Sequence, residues 1–189
     1  YKDIRKMVMN FIYTKIILLL PDMMQLVRET EARLRWNDYY WIGLQIRSGH
    51  MAGDEGQNVF LYEDDIEMFM AYAVNQTEKA MQKQSKPVRW YVAGDSEDVK
   101  RKVRFRYGDY YANAECAISH SFQDVFNPQR TPGMTCTVLE NYLRTDTNET
   151  IVTAASTYGL MATYRNLQMK KIMVTRGDWR KFRTGVNTV

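Results

Sequence analysis

Three short apolar runs, each ending abruptly in small or charged residues, constrain this chain most. They are "WIGLQIRSG" (41–49), "VRWYVAGDS" (88–96) and "TIVTAAST" (150–157). Between them lie stretches of helical period, too long for hairpin turns. "PDMMQLVRETEARL" places Met24, Leu26, Val27 and Leu34 on one face. "EDDIEMFMAYAVNQTEKAMQKQ" opens on acids and closes on Lys, as the helix dipole favours. Ser96 is a capping residue for "SEDVKRKVRFRYG", which stops at Gly108. "CTVLENYLRTD" and "YGLMATYRN" read as further helices. Further strands are expected around "CAISHS" and at "KKIMVT", with residues 122–135 irregular. Strands separated by helices require crossover connections, hence a mostly parallel sheet with helices on both faces, a Rossmann-like α/β fold.

A chain of 189 residues suits one such domain. We read residues 1–20 as a lead-in or the remnant of an upstream domain, and 21–189 as the Rossmann-like domain. The run "MVMNFIYTKIILLL" is shorter than the ~20 apolar residues of a membrane span and contains Lys15, so it reads as a core helix or strand. Membrane contact is expected only through an anchor outside this chain. Methionines 68, 70 and 81 fall at helical spacing and are expected in the core.

A net charge of +4 is mild and is not gathered in a tail. It suits an anionic small molecule; no nucleic-acid-binding motif accompanies it, so a nucleic-acid partner is not expected. The two histidines, His50 and His120, lie far apart, and the two cysteines, Cys116 and Cys136, lack metal-ligand spacing, so no metal site is expected. The cysteines permit one disulfide without establishing it. Asn75 and Asn148 head N-x-T sequons, glycosylation acceptors if the chain enters the secretory path. Neither G-x-G-x-x-G, G-x-x-x-x-G-K-[ST] nor G-x-S-x-G occurs.

An open parallel sheet binds ligands at the carboxyl ends of its strands. Arg47 ends the first run; its planar fork can grip a phosphate bidentately, and Gly49 permits close backbone approach. The rival for Arg47 is an ion pair with Asp54 or Glu55 in its own loop. Asp95 and Ser96 end the second run, where "GDSED" also has the look of a phosphatase metal-site segment; the aspartate nucleophile motif of such enzymes is missing. Ser156, Thr157 and Tyr158 stand where a strand gives way to a helix, whose first N–H groups bind anions.

In order, "IGLQIRSG", "YVAGDSED" and the layout of "TVLENYLRTDTNETIVTAASTYGLMATYRN" resemble the three motifs of the GDP-fucose-dependent fucosyltransferase superfamily, over residues 18–175. Gln45 stands where the family usually has His. The resemblance implies the nucleotide-sugar-binding half of a two-domain GT-B glycosyltransferase that moves fucose from GDP-fucose to a glycan or glycoprotein hydroxyl. It implies no cofactor beyond the donor substrate, and a place in the secretory pathway, the Golgi or ER lumen. It makes Arg47 the catalytic contact to the diphosphate. Gly49, Asp95, Ser96, His120, Ser156, Thr157 and Tyr158 would join it in binding the nucleotide. The alternative is a non-catalytic GDP-sugar- or glycan-binding module of the same fold.

Overall fold

The computed structural model describes residues 2–16, 20–49, 61–116, 131–154 and 156–175. Helix α1 (Lys2–Phe11) runs into a π-helical turn, Ile12–Ile16, and is followed by α2 (Pro21–Arg33). Strand β1 (Tyr40–Ile46), α3 (Glu63–Lys83), β2 (Val88–Gly94), α4 (Glu97–Tyr107) and the two-residue β3 (Tyr111–Ala112) come next. Helix α5 (Thr131–Thr145), β4 (Glu149–Thr153), α6 (Thr157–Arg165) and β5 (Lys170–Val174) complete the described elements.

The five strands form one sheet in the order β3-β2-β1-β4-β5, and every pairing is parallel. From β1 the chain steps outward through β2 and β3, then returns to lay β4 against the other side of β1. Such a reversal opens a crevice beyond the strand ends, between β1 and β4. That is where the loops carrying Arg47 and Ser156 lie.

Both faces of the sheet are covered, which is why β1 and β2 read as nearly continuous apolar runs. On one face Ile42, Leu44, Ile46, Trp90 and Val92 pack with Met68, Phe69 and Ala73 of α3 and Val103 of α4. On the other, Trp41 and Tyr91 pack with Val27 of α2 and Leu139 and Leu143 of α5. The Trp36 and Trp41 rings stack at 4.4 Å beneath this second layer. Gly43 has no room for a side chain: a Cβ there would lie 2.8 Å from Thr147 Oγ1.

Local chemistry sets the helix starts. Pro21 opens α2, where a missing N–H costs nothing. Asp65 accepts the Tyr62 backbone N–H at 3.0 Å ahead of α3. Ser96 Oγ accepts the Val99 N–H at 3.3 Å at the start of α4, and Gly108 follows that helix as read from sequence.

Three expectations are corrected, and a fourth falls mostly outside the described residues. The strand expected around "CAISHS" falls mostly on residues 117–121, outside the described residues, and the described strand after α4 is Tyr111–Ala112. The stretch 122–135 is not irregular at its end, since α5 begins at Thr131 with Pro132 in the first turn, where a missing N–H costs no helical hydrogen bond. Met68 and Met70 are in the core, but Met81 is 59% exposed. The described part of the apolar run in the lead-in, residues 7–15, is not buried in the core. Within α1, Ile4, Met7, Val8 and Phe11 face outward, while Asn10 Nδ2 donates to Tyr164 O at 2.6 Å and Tyr13 stacks on Tyr164. No helix among the described residues is long and apolar enough to cross a membrane.

Candidate functional site

Because β2, β1 and β4 are neighbours, their carboxyl ends bring three chain-distant loops together. Arg47 leaves β1 with its backbone N–H donated to Thr153 Oγ1 at 2.9 Å, and Thr153 donates in turn to Gln45 O at 3.1 Å. One threonine hydroxyl at the end of β4 thus ties down the backbone on both sides of Ile46.

From the other side comes Asp95. Its Oδ1 accepts the Ser48 N–H at 2.9 Å and the Ser48 hydroxyl at 3.1 Å, and its Oδ2 accepts the Gly49 N–H at 2.9 Å. Gly49 has φ 77°, a left-handed conformation that favours glycine. The same Oδ2 stands 3.6 Å from Arg47 Nε. Arg47 therefore has a carboxylate neighbour, but from the next strand's end; Asp54 and Glu55 lie outside the described residues. With its side chain 27% exposed, Arg47 remains reachable from solvent.

Across the crevice, Ser156 caps α6 by accepting the Gly159 N–H at 3.2 Å. Ser156 is buried and Thr157 exposed. Tyr158 points into the protein: its hydroxyl donates to Thr137 O at 2.9 Å, and burial with Glu140 nearby pushes its pKa up. Ser96 is occupied as the cap of α4. Beside these loops a cleft of about 280 Å³ runs between α3 and α4 and reaches Ser48 and Ser96. Arg47, Gly49, Asp95, Ser96, Ser156, Thr157 and Tyr158 thus gather at one end of the sheet. His120 lies outside the described residues.

Several residues of this end escaped the sequence reading. Thr153 is one. Beneath α6 lies a second group: Glu140 and Arg144, one helical turn apart on α5 and both buried. Lys100 Nζ of α4 donates to Glu140 Oε1 at 3.0 Å, and Arg144 Nη2 donates to Gly159 O at 2.6 Å. Desolvation raises the Glu140 pKa, against Lys100, and lowers that of Arg144. The signal for them was present. Cys136, Leu139, Glu140, Leu143 and Arg144 follow the spacing of a buried helical stripe, with two charges inside it.

Cys116 and Cys136 are joined as a disulfide. They form with Glu140 the grouping of metal-ligand types found among the described residues, but the paired sulfurs leave one carboxylate for a cation.

No protein-family model and no curated protein matches the sequence. Solved structures do match. One is NodZ alpha-1,6-fucosyltransferase, of Bradyrhizobium, in a crystal soaked with GDP-fucose (TM-score 0.51, 16% identity, 78% of this chain and 42% of that one). Another is a mutant of Arabidopsis thaliana FUT1 in complex with GDP (TM-score 0.43, 18% identity, 80% of this chain and 33% of that one). The chain thus spans about two fifths of the length of NodZ. The NodZ likeness is one of fold, and it agrees with the resemblance carried by the three motifs: this chain has a GDP-fucose fucosyltransferase-like, Rossmann-like α/β fold.

Proposed function

We propose that this chain is the donor-binding half of a fucosyltransferase, which binds GDP-fucose and passes the fucose to a hydroxyl of a glycan or glycoprotein without a metal. One observation carries the reading. Arg47 is held from both neighbouring strand ends, by Thr153 and by Asp95, at the crevice that faces the capped start of α6.

Breaking a sugar–phosphate bond builds negative charge on the departing GDP. A guanidinium braced before the reaction, together with helix-terminal N–H groups, stabilises that charge without reorganising. On this reading Arg47 contacts the diphosphate, and Gly49, held in place by Asp95, lets the backbone close on it. Thr157 and the first N–H groups of α6 complete the cradle. The base for the acceptor hydroxyl and most acceptor contacts belong to the other half of the enzyme or to the loop after Gly49. The Cys116–Cys136 disulfide supports an oxidising compartment such as the ER or Golgi lumen.

Gln45 favours a second reading, a GDP-sugar-binding module that transfers nothing. Its amide cannot exchange a proton as the usual histidine could, and it is buried at 1% exposure against the start of α6.

Titration calorimetry with GDP, with and without EDTA, tests the shared core of both readings: saturable binding that EDTA leaves unchanged is expected. A folded protein that binds no GDP overturns both. Transfer of labelled fucose to an oligosaccharide, assayed with the acceptor half present, separates enzyme from module.

A further inference from the structure

Among the described residues Arg144 is the largest charged side chain buried completely, at 0% exposure. It sits on α5 behind the first turn of α6, well away from solvent. Two side chains and one backbone carbonyl of α5 grip that turn. Thr137 O accepts from Tyr158 OH at 2.9 Å, Asn141 Nδ2 donates to Tyr158 O at 3.0 Å, and Arg144 Nη2 donates to Gly159 O at 2.6 Å. The guanidinium carbon also lies 5.6 Å from the centre of the Tyr158 ring.

The charges around Arg144 do not cancel. The buried ionisable groups of the cluster are Lys100, Glu140 and Arg144, with Tyr91 and Tyr158 as neutral phenols. Glu140 already serves Lys100 at 3.0 Å. Two cations and one anion leave a surplus of one positive charge under α6. Two donors of Arg144, Nε and Nη1, have no hydrogen-bond partner among the described residues. A buried cation without its own counter-ion is unfavourable, and Arg144 has only the Gly159 carbonyl, the Tyr158 ring and a share of Glu140 to offset it.

We infer that Arg144 is a positioning residue for the anion site: it fixes the first turn of α6 and lends that helix start a buried positive charge, which the diphosphate of the donor neutralises. This rests on the proposed GDP-binding role of the crevice. Charge in the interior is screened far less than charge at the surface. It adds to the partial positive charge of the α6 N-terminus, so its effect should grow with the negative charge of the ligand.

The test compares GDP, GMP and guanosine binding by calorimetry in the wild type, Arg144→Met, Arg144→Gln and Arg144→Lys. Removing the charge should weaken GDP about tenfold, the scale of a unit charge acting over ~10 Å at an effective dielectric of ~20. GMP should lose less and guanosine nothing, while Arg144→Lys keeps most of the GDP affinity. Ligand-free Arg144→Met should melt no lower than the wild type, since a buried charge without its counter-ion has been replaced by an apolar chain. Equal loss for guanosine and GDP, or unchanged GDP affinity in both neutral variants, overturns the role of Arg144 while GDP binding by the wild type stands. A wild type blind to GDP overturns the proposed function itself and this inference with it. Arg144→Gln keeps a polar head and carries the test if Arg144→Met does not fold.

Discussion

Asp95 accepts the backbone N–H of Gly49 at 2.9 Å, so a carboxylate at the end of β2 fixes the loop that leaves β1. The same carboxylate takes the Ser48 N–H and hydroxyl. These donors are buried, and an unmet buried donor costs about 1–3 kcal/mol. Asp95→Ala is expected to lower stability in urea by about 3 kcal/mol. Asp95→Asn should fail to restore it fully, because one amide position presents a donor to a donor. A loss under 1 kcal/mol would mean that the loop is held by other contacts.

Arg47 presents a different balance, because its guanidinium stays partly open to solvent while its backbone is tied to Thr153. Arg47→Ala leaves the backbone hydrogen bond in place. Stability should change little, and GDP binding should weaken by about 1.5–3 kcal/mol, the scale of a charge-assisted hydrogen bond. Calorimetry beside a urea melt separates the two effects. GDP affinity equal to wild type would remove Arg47 from the site.

The Lys100–Glu140 pair makes stability depend on pH in a direction that can be worked out. Burial outweighs Lys100 and raises the Glu140 pKa above its ordinary value of 4.5. The folded chain therefore holds that proton to higher pH than the unfolded chain does. The stability gained is full below the ordinary value and is lost as pH rises through the raised one. Glu140→Gln should flatten this decline in urea midpoints measured across the acid range. At neutral pH it should also cost about 3–5 kcal/mol, because Lys100 is left buried without its partner. Lys100→Met in the same chain should return much of that loss.

The Cys116–Cys136 link closes a loop of sequence separation 20 between the end of β3 and the first turns of α5. In the chain-entropy model such a loop is worth about 3 kcal/mol. Reduction by dithiothreitol should shift the urea midpoint accordingly and leave the alternation of β1, α3 and β2 folded. A midpoint indifferent to reductant would show that the unfolded chain is not loosened by opening the loop.

Much of this fold was legible because a parallel sheet covered on both faces must be written as apolar runs parted by helices. The runs around Ile42, Trp90 and Ile151 did that plainly. Strand order was not legible, since β1 carries the same pattern whether β4 lies beside it or two places away. Strand β3 was missed because two residues, Tyr111 and Ala112, carry no period. In the site, Arg47 and Ser156 were visible as polar residues stopping an apolar strand. The partner of Arg47 was not, because Asp95 stands 48 positions away and only the pairing of Ile46 with Gly94 brings it alongside. Arg144 was legible only in part: its place in the stripe of Cys136, Leu139, Glu140 and Leu143 marks a buried position, but the packing of α6 decides what covers it.

Gly159 and Gln45 make the sharpest test of the packing beneath α6. A Cβ on Gly159 would lie 2.4 Å from Gln45 Oε1, closer than any real contact. That oxygen is buried with no hydrogen-bond partner among the described residues, so it has little reason to stay put and little space to move. Gly159→Ala sets two effects against each other. Alanine gains about 1 kcal/mol of helix propensity, while forcing a methyl into a filled site costs about 1–3 kcal/mol. The single variant should therefore be neutral or destabilised. In a Gln45→Ala background the obstacle is gone, and the same substitution should be stabilising by up to about 1 kcal/mol. The double-mutant cycle should show a coupling of about 1–2 kcal/mol. Additive effects would mean that the Gln45 side chain lies elsewhere in solution, and that the start of α6 is not braced from β1.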